Sequence, residues 1–115
     1  MNSGGPDVVA AAVEEALATL PDWIAERIEN VAIEVGDEEP GEPGVLGLYR
    51  GVPLPGRTGS AFVQPDRITI FRQPLERLYG HDPALLRGRT IHVVHHELAH
   101  HFGISDERLR ELDRY

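Results

Sequence analysis

Between Val8 and Leu20 the apolar residues Val8, Val9, Ala12, Val13, Ala16, Leu17 and Leu20 recur at three- and four-residue steps, with Glu14 and Glu15 on the other side. This period matches the helical turn of about 3.6 residues and predicts an amphipathic helix that ends before Pro21. Pro21 then suits the first turn of a shorter second helix through Ile24 and Ile28, where its missing N–H is not needed. At Val31, Ile33 and Val35 the period switches to two, which predicts a strand with those three residues facing the core. Val45 to Arg50 is a second strand candidate, and Ile68 to Phe71 a third, flanked by polar Asp66-Arg67 and by Arg72-Gln73-Pro74. Helical spacing resumes at Leu75, Leu78, Leu85 and Leu86, with Gly80-His81-Asp82-Pro83 as a turn and helix start. A helix from about Gly88 to Phe102 follows, with Ile91, Val94, Leu98 and Phe102 directed at the core.

The punctuation between these elements is equally readable. Gly36-Asp37-Glu38-Glu39-Pro40-Gly41-Glu42-Pro43-Gly44 is an acidic turn-rich loop; Pro40 and Pro43 interrupt the ligand spacing that calcium would need, so a solvated loop is expected. Gly103 supplies a helix stop that tolerates positive φ, and Ser105 is an N-cap for a last short helix from Asp106 to Arg114, with Leu109 and Leu112 folding back on the core. Residues 1–6 read as a disordered leader and 7–115 as one domain. The pattern as a whole is α+β: N-terminal helices, a small sheet of about three strands, then helices.

Composition narrows the function. The 115 residues carry 11 basic and 19 acidic groups, a net charge of −8, and every basic residue is an arginine spread along the chain, so a nucleic-acid partner is disfavoured. Without cysteine, disulfides, thiol catalysis and thiolate metal sites are excluded, and His, Asp and Glu are the strong metal ligands left. The N-terminus lacks a basic stretch before an apolar run, and no segment approaches the roughly 20 apolar residues of a membrane span, so a cytoplasmic protein without a membrane partner is expected.

Of six histidines, five fall between positions 92 and 101. His96-Glu97-x-x-His100 sets two imidazoles one helical turn apart with a carboxylate beside them, a spacing suited to one zinc ion. Three protein ligands would leave a position for water, whose pKa zinc lowers towards about 7, and Glu97 is placed as general base and later proton donor. His92 lies on the same stripe, but eight residues separate it from His100 by about 12 Å, too far for both to hold one ion. The third ligand is expected beyond the Gly103 stop, where Asp106 is the first strong donor and Glu107 and Glu111 are rivals. Asp106 has a competing role at the positive end of the last helix. For His95 and His101, off the ligand face, structural roles are expected, whereas His92 could line the cleft or support a ligand.

The stretch resembles the zincin-like metallopeptidases, and the chain is similar to their minimal bacterial family with His-Glu-x-x-His-x-x-Gly-x-x-Asp. The likeness extends to Leu20-Pro21, Leu46-Gly47-Leu48-Tyr49-Arg50-Gly51, Ile68-Thr69-Ile70-Phe71-Arg72 and His101-Phe102-Gly103-Ile104-Ser105-Asp106-Glu107, and so to about residues 8–113. It implies a minimal zincin-like fold, one zinc per chain held by His96, His100 and Asp106, Glu97 as catalyst, and a peptide or protein substrate. The methionine turn of the longer metzincins has no counterpart, since the one Met is Met1, and the 15 residues after His100 are expected to leave no room for a second subdomain. By analogy, a peptide is expected to add to an exposed sheet edge such as residues 67–72, and Tyr49, Tyr79 and Arg57 are candidate oxyanion donors. The alternatives are a ribonuclease-type metal hydrolase, which generally carries a third His after the glycine and a basic surface, and a non-catalytic metal-binding or regulatory protein.

Overall fold

The computed structural model describes residues 7–26, 28, 30–51, 65–105 and 107–108. In chain order they form helices α1 (Val8–Ala18) and α2 (Asp22–Ala25), strands β1 (Val31–Gly36), β2 (Gly47–Arg50) and β3 (Asp66–Phe71), and helices α3 (Arg72–Tyr79) and α4 (Pro83–His101). The expected α+β class holds. The expected leader at residues 1–6 and the body of the expected last helix lie outside the described residues. Ser105 does cap that helix's start, its Oγ accepting the Arg108 N–H at 3.2 Å.

The sheet order is β1-β3-β2, with β3 parallel to β1 and antiparallel to β2. This corrects the expected sheet edge: residues 67–71 belong to the central strand, paired on both sides. β3 alternates accordingly, with Asp66, Ile68 and Ile70 buried while Arg67 is exposed. Its outer face carries an exposed polar group in which Thr69 Oγ1 donates to Glu34 and Arg67 lies 3.6 Å from the same carboxylate. The inner face meets the helices, and Ile68, Ile70, Leu75, Val94, Leu98, Val9 and Ala16 join in one apolar core.

Helix α4 is longer than its pattern suggests. It begins at Pro83, with the Asp82 carboxylate accepting from the Ala84 and Leu85 N–H groups at 3.1 and 3.3 Å. Arg87, Gly88 and Arg89 interrupt the apolar period but lie on the exposed side, so the helix runs through them unbroken. Its buried stripe is Leu86, Thr90, Val93, Val94, Glu97, Leu98 and His101, which packs against α1, β2 and β3. Helix α3, by contrast, buries Pro74 and Leu75 and leaves Leu78 54% exposed, so only part of its apolar pattern serves the core. The acidic loop is a surface loop, fastened by Arg50 to Glu39 at 3.0 Å and by the Arg77 guanidinium donating to the Pro43 carbonyl at 2.7 Å. Among the described residues no helix is long and apolar enough to cross a membrane.

One charged contact ties the ends of two helices together. The Asp7 carboxylate caps α1 by accepting the Ala10 N–H at 3.0 Å and also pairs with the Arg72 guanidinium at the start of α3. Arg72's hydrogen bond holds the Asp7 carboxyl below its ordinary value of 3.8, helped by the Ala10 N–H and opposed by burial. Because the folded pKa is depressed, the stabilisation is complete above the unfolded value and fades as pH falls through the folded one. Asp7→Asn keeps the cap but loses the charge, so urea denaturation should find wild type more stable by at most about 1 kcal/mol at neutral pH, the range of exposed pairs. That difference should disappear below the lowered folded value, itself under 3.8.

Candidate metal centre

The end of α4 is built by Gly103. With φ of +86°, it reverses the chain after Phe102, so that the Gly103 N–H reaches the His100 carbonyl and the Ile104 N–H the Ala99 carbonyl, both at 2.9 Å. These are the two bonds of a Schellman ending, and they bring Ile104 back beside the last helical turn. There the Ile104 carbonyl lies 2.9 Å from His100 Nδ1. A carbonyl can only accept, so Nδ1 carries the proton and the lone pair of this imidazole sits on Nε2. A glycine chosen for its backbone thus fixes the tautomer of a candidate metal ligand.

His96, one turn earlier, places its ring 5.0 Å from that of His100 at 84°. One ligating atom from each of His96, Glu97 and His100 lies within 4.8 Å of the others. Both histidines are half-buried at the border of the α4 stripe, while Glu97 is only 8% exposed. Two imidazoles converging over a buried carboxylate, one with its tautomer set by a backbone carbonyl, fit a zinc ion by donor chemistry and arrangement. His92 is exposed, its ring 6.3 Å from that of His96, as expected for the next position along the stripe. Asp106, the expected third ligand, and its rival Glu111 lie outside the described residues. Glu107 is exposed and is not part of the cluster formed among them.

Glu97 is held in place by the sheet. Strand β2 crosses α4 at Gly47, where a Cβ would come 2.6 Å from Val93 Cγ1 and 3.2 Å from Glu97 Cγ. The missing side chain is what lets β2 lie directly on the candidate base. Gly47→Ala is therefore expected to push β2 off the helix, lowering stability by about 1–3 kcal/mol as overpacked cores do. Thermal unfolding of the variant would measure it.

Two histidines beside this cluster are engaged elsewhere in the fold. His95 turns its Nε2 towards the Ala16 carbonyl on α1, at 3.5 Å. His101 is fully buried and lies 2.8 Å through Nδ1 from Asp66 Oδ2, a carboxylate that is itself 1% exposed. The Tyr49 hydroxyl donates to the same oxygen. Tyr49 thus directs its hydroxyl at Asp66, which weakens it as an oxyanion donor; Tyr79 stacks under Arg89 at 5.5 Å, and Arg57 is outside the described residues.

Asp66, expected to flank the third strand, is its first residue and a neighbour of the candidate site. The signal was present: Asp66 shares the phase of Ile68 and Ile70, and His101 that of Val94 and Leu98, so extending each period by one step points both inward.

The match to known proteins covers the same elements. Residues 27–115 match the model of the zincin-like metallopeptidases, a span that holds all three strands, α3, α4 and the Gly103 turn, and starts after α1 and α2 rather than at the expected residue 8. No curated protein matches the chain. By that match, which takes in most of its length, the chain belongs to the zincin-like metallopeptidase family.

Proposed function

We propose that the protein is a zinc-dependent peptidase, with His96, His100 and Asp106 as zinc ligands and Glu97 as general base. The observation that carries this reading is the convergence of His96, Glu97 and His100, with the Ile104 carbonyl setting the His100 tautomer. Zinc, when bound, supplies the Lewis acid that lowers the pKa of water and polarises the scissile carbonyl. The protein's part is then proton handling and orientation. The Glu97 carboxylate takes the proton of the attacking water and returns it to the leaving amine, so that the amine departs neutral. Burial of Glu97 beside Gly47 limits the space open to its carboxylate next to the two imidazoles. An extended peptide would lie along β2, the strand that flanks Glu97 and ends the sheet among the described residues.

Purified wild-type protein should take up one equivalent of zinc at neutral pH and cleave unstructured peptides. A strong zinc chelator should abolish cleavage and added zinc restore it. Asp106→Ala should weaken zinc uptake while leaving the secondary structure unchanged by circular dichroism. A chain that remains metal-free in excess zinc would overturn the proposal, and zinc uptake unaffected by Asp106→Ala would remove Asp106 from it.

A further inference from the structure

Behind the candidate metal centre lies a buried polar group that the proposed reaction does not use. Asp66 at the start of β3, Tyr49 on β2 and His101 at the end of α4 meet at one carboxylate oxygen, with His101 and Asp66 0% and 1% exposed in their side chains. A carboxylate can only accept, so both Tyr49 Oη and His101 Nδ1 donate to it. The backbone holds Asp66 as well, its N–H donating to the Asn30 carbonyl at 2.9 Å. A side chain at Gly51 would collide with the Asp66 carboxyl, so the group is enclosed from the β2 side too.

Burying a carboxyl group, a phenol and an imidazole together is costly, and apolar residues of similar volume often fold as well or better. The stability of the core alone therefore does not call for the group. Its position suggests another role. His101 is the peptide neighbour of His100, and the Tyr49 ring lies against both imidazoles, with centroids 6.5 Å from His100 and 6.1 Å from His101. The contacts form a closed circuit: His100 to His101 through the backbone, His101 to Asp66, Asp66 to Tyr49, and Tyr49 back to the His100 ring. His100 thus has the Ile104 carbonyl on its Nδ1 and, nearby, the ring of a tyrosine whose hydroxyl is anchored to the sheet.

We infer that Asp66 and Tyr49 are positioning residues for the metal centre, acting through His101 and the Tyr49 ring to fix the last turn of α4 and the orientation of His100. This inference rests on the zinc reading above. Outer groups that orient metal ligands typically change affinity by about 10–100-fold when removed.

The test is zinc affinity of the full chain, measured by competition with a chromophoric chelator, together with the visible absorption of the cobalt-substituted protein. Both are read on Tyr49→Phe and Asp66→Asn at a temperature where circular dichroism shows the variant folded. Tyr49→Phe removes one hydroxyl with little change of shape, so it decides the matter should Asp66→Asn fail to fold. Zinc affinity lower by about tenfold in the folded variants, with a shifted cobalt spectrum, is the expected result. A purely structural group would lower the unfolding temperature alone. Wild-type zinc affinity and an unchanged cobalt spectrum in folded Tyr49→Phe would overturn the inference and leave the peptidase reading intact. Failure of the wild-type chain to bind zinc would overturn both.

Discussion

Glu97→Gln should reduce peptide hydrolysis by about 10²–10⁴-fold, the usual contribution of a positioned general base, while one zinc per chain is retained. The substitution is nearly isosteric, and this matters because Glu97 is buried and its Cγ packs against the backbone of Gly47. Glutamine fills the same space without pushing β2 away, so the fold is expected to survive. What changes is chemical: an amide cannot take the water's proton. Zinc content and peptide cleavage measured on the same preparation separate the outcomes. Persistent cleavage would exclude Glu97 as the base, and loss of zinc would make it a ligand instead.

The second large effect is expected at the two imidazoles. His96→Ala and His100→Ala should each weaken zinc binding by more than about 100-fold, beyond the range for groups outside the coordination shell. The His100 variant should also change in the metal-free state. His100 also donates to the Ile104 carbonyl, so its removal takes a hydrogen bond from the turn that ends α4 and should lower the unfolding temperature as well. Zinc competition and thermal unfolding of the apo-proteins would check both statements. A metal-free His100→Ala protein that unfolds at the wild-type temperature would show that the His100–Ile104 bond contributes nothing to the turn.

Much of this architecture was legible because it depends on local period. The alternation at Val31, Ile33 and Val35 and the helical spacing from Val8 to Leu17 reappear as β1 and α1 with the expected sides turned to the core, partly buried in β1 and buried through the middle of α1. Gly103 was identifiable as a stop because few residues other than glycine adopt its φ of +86°. His-Glu-x-x-His needs only the geometry of one helix for two imidazoles and a carboxylate to meet, and they do. Where the reading stopped short, long-range packing was responsible. Arg87-Gly88-Arg89 hid the first turns of α4, since a solvent-facing stretch leaves no apolar signature. Leu78 fits an apolar pattern but faces outward, because α3 turns Pro74, Leu75 and, in part, Tyr79 towards the core instead.

The sequence by itself determined the fold class, the helix that presents His96, Glu97 and His100, and the turn that follows it, all consequences of backbone geometry over a few residues. Only the tertiary structure decided that β3 is central rather than an edge and that Gly47 lays β2 against Glu97. It alone also brought Asp66, Tyr49 and His101 to one buried oxygen. Strand order and the meeting of residues 17 and 35 positions apart are set by how the sheet and α4 share a single core, and no local spacing encodes that.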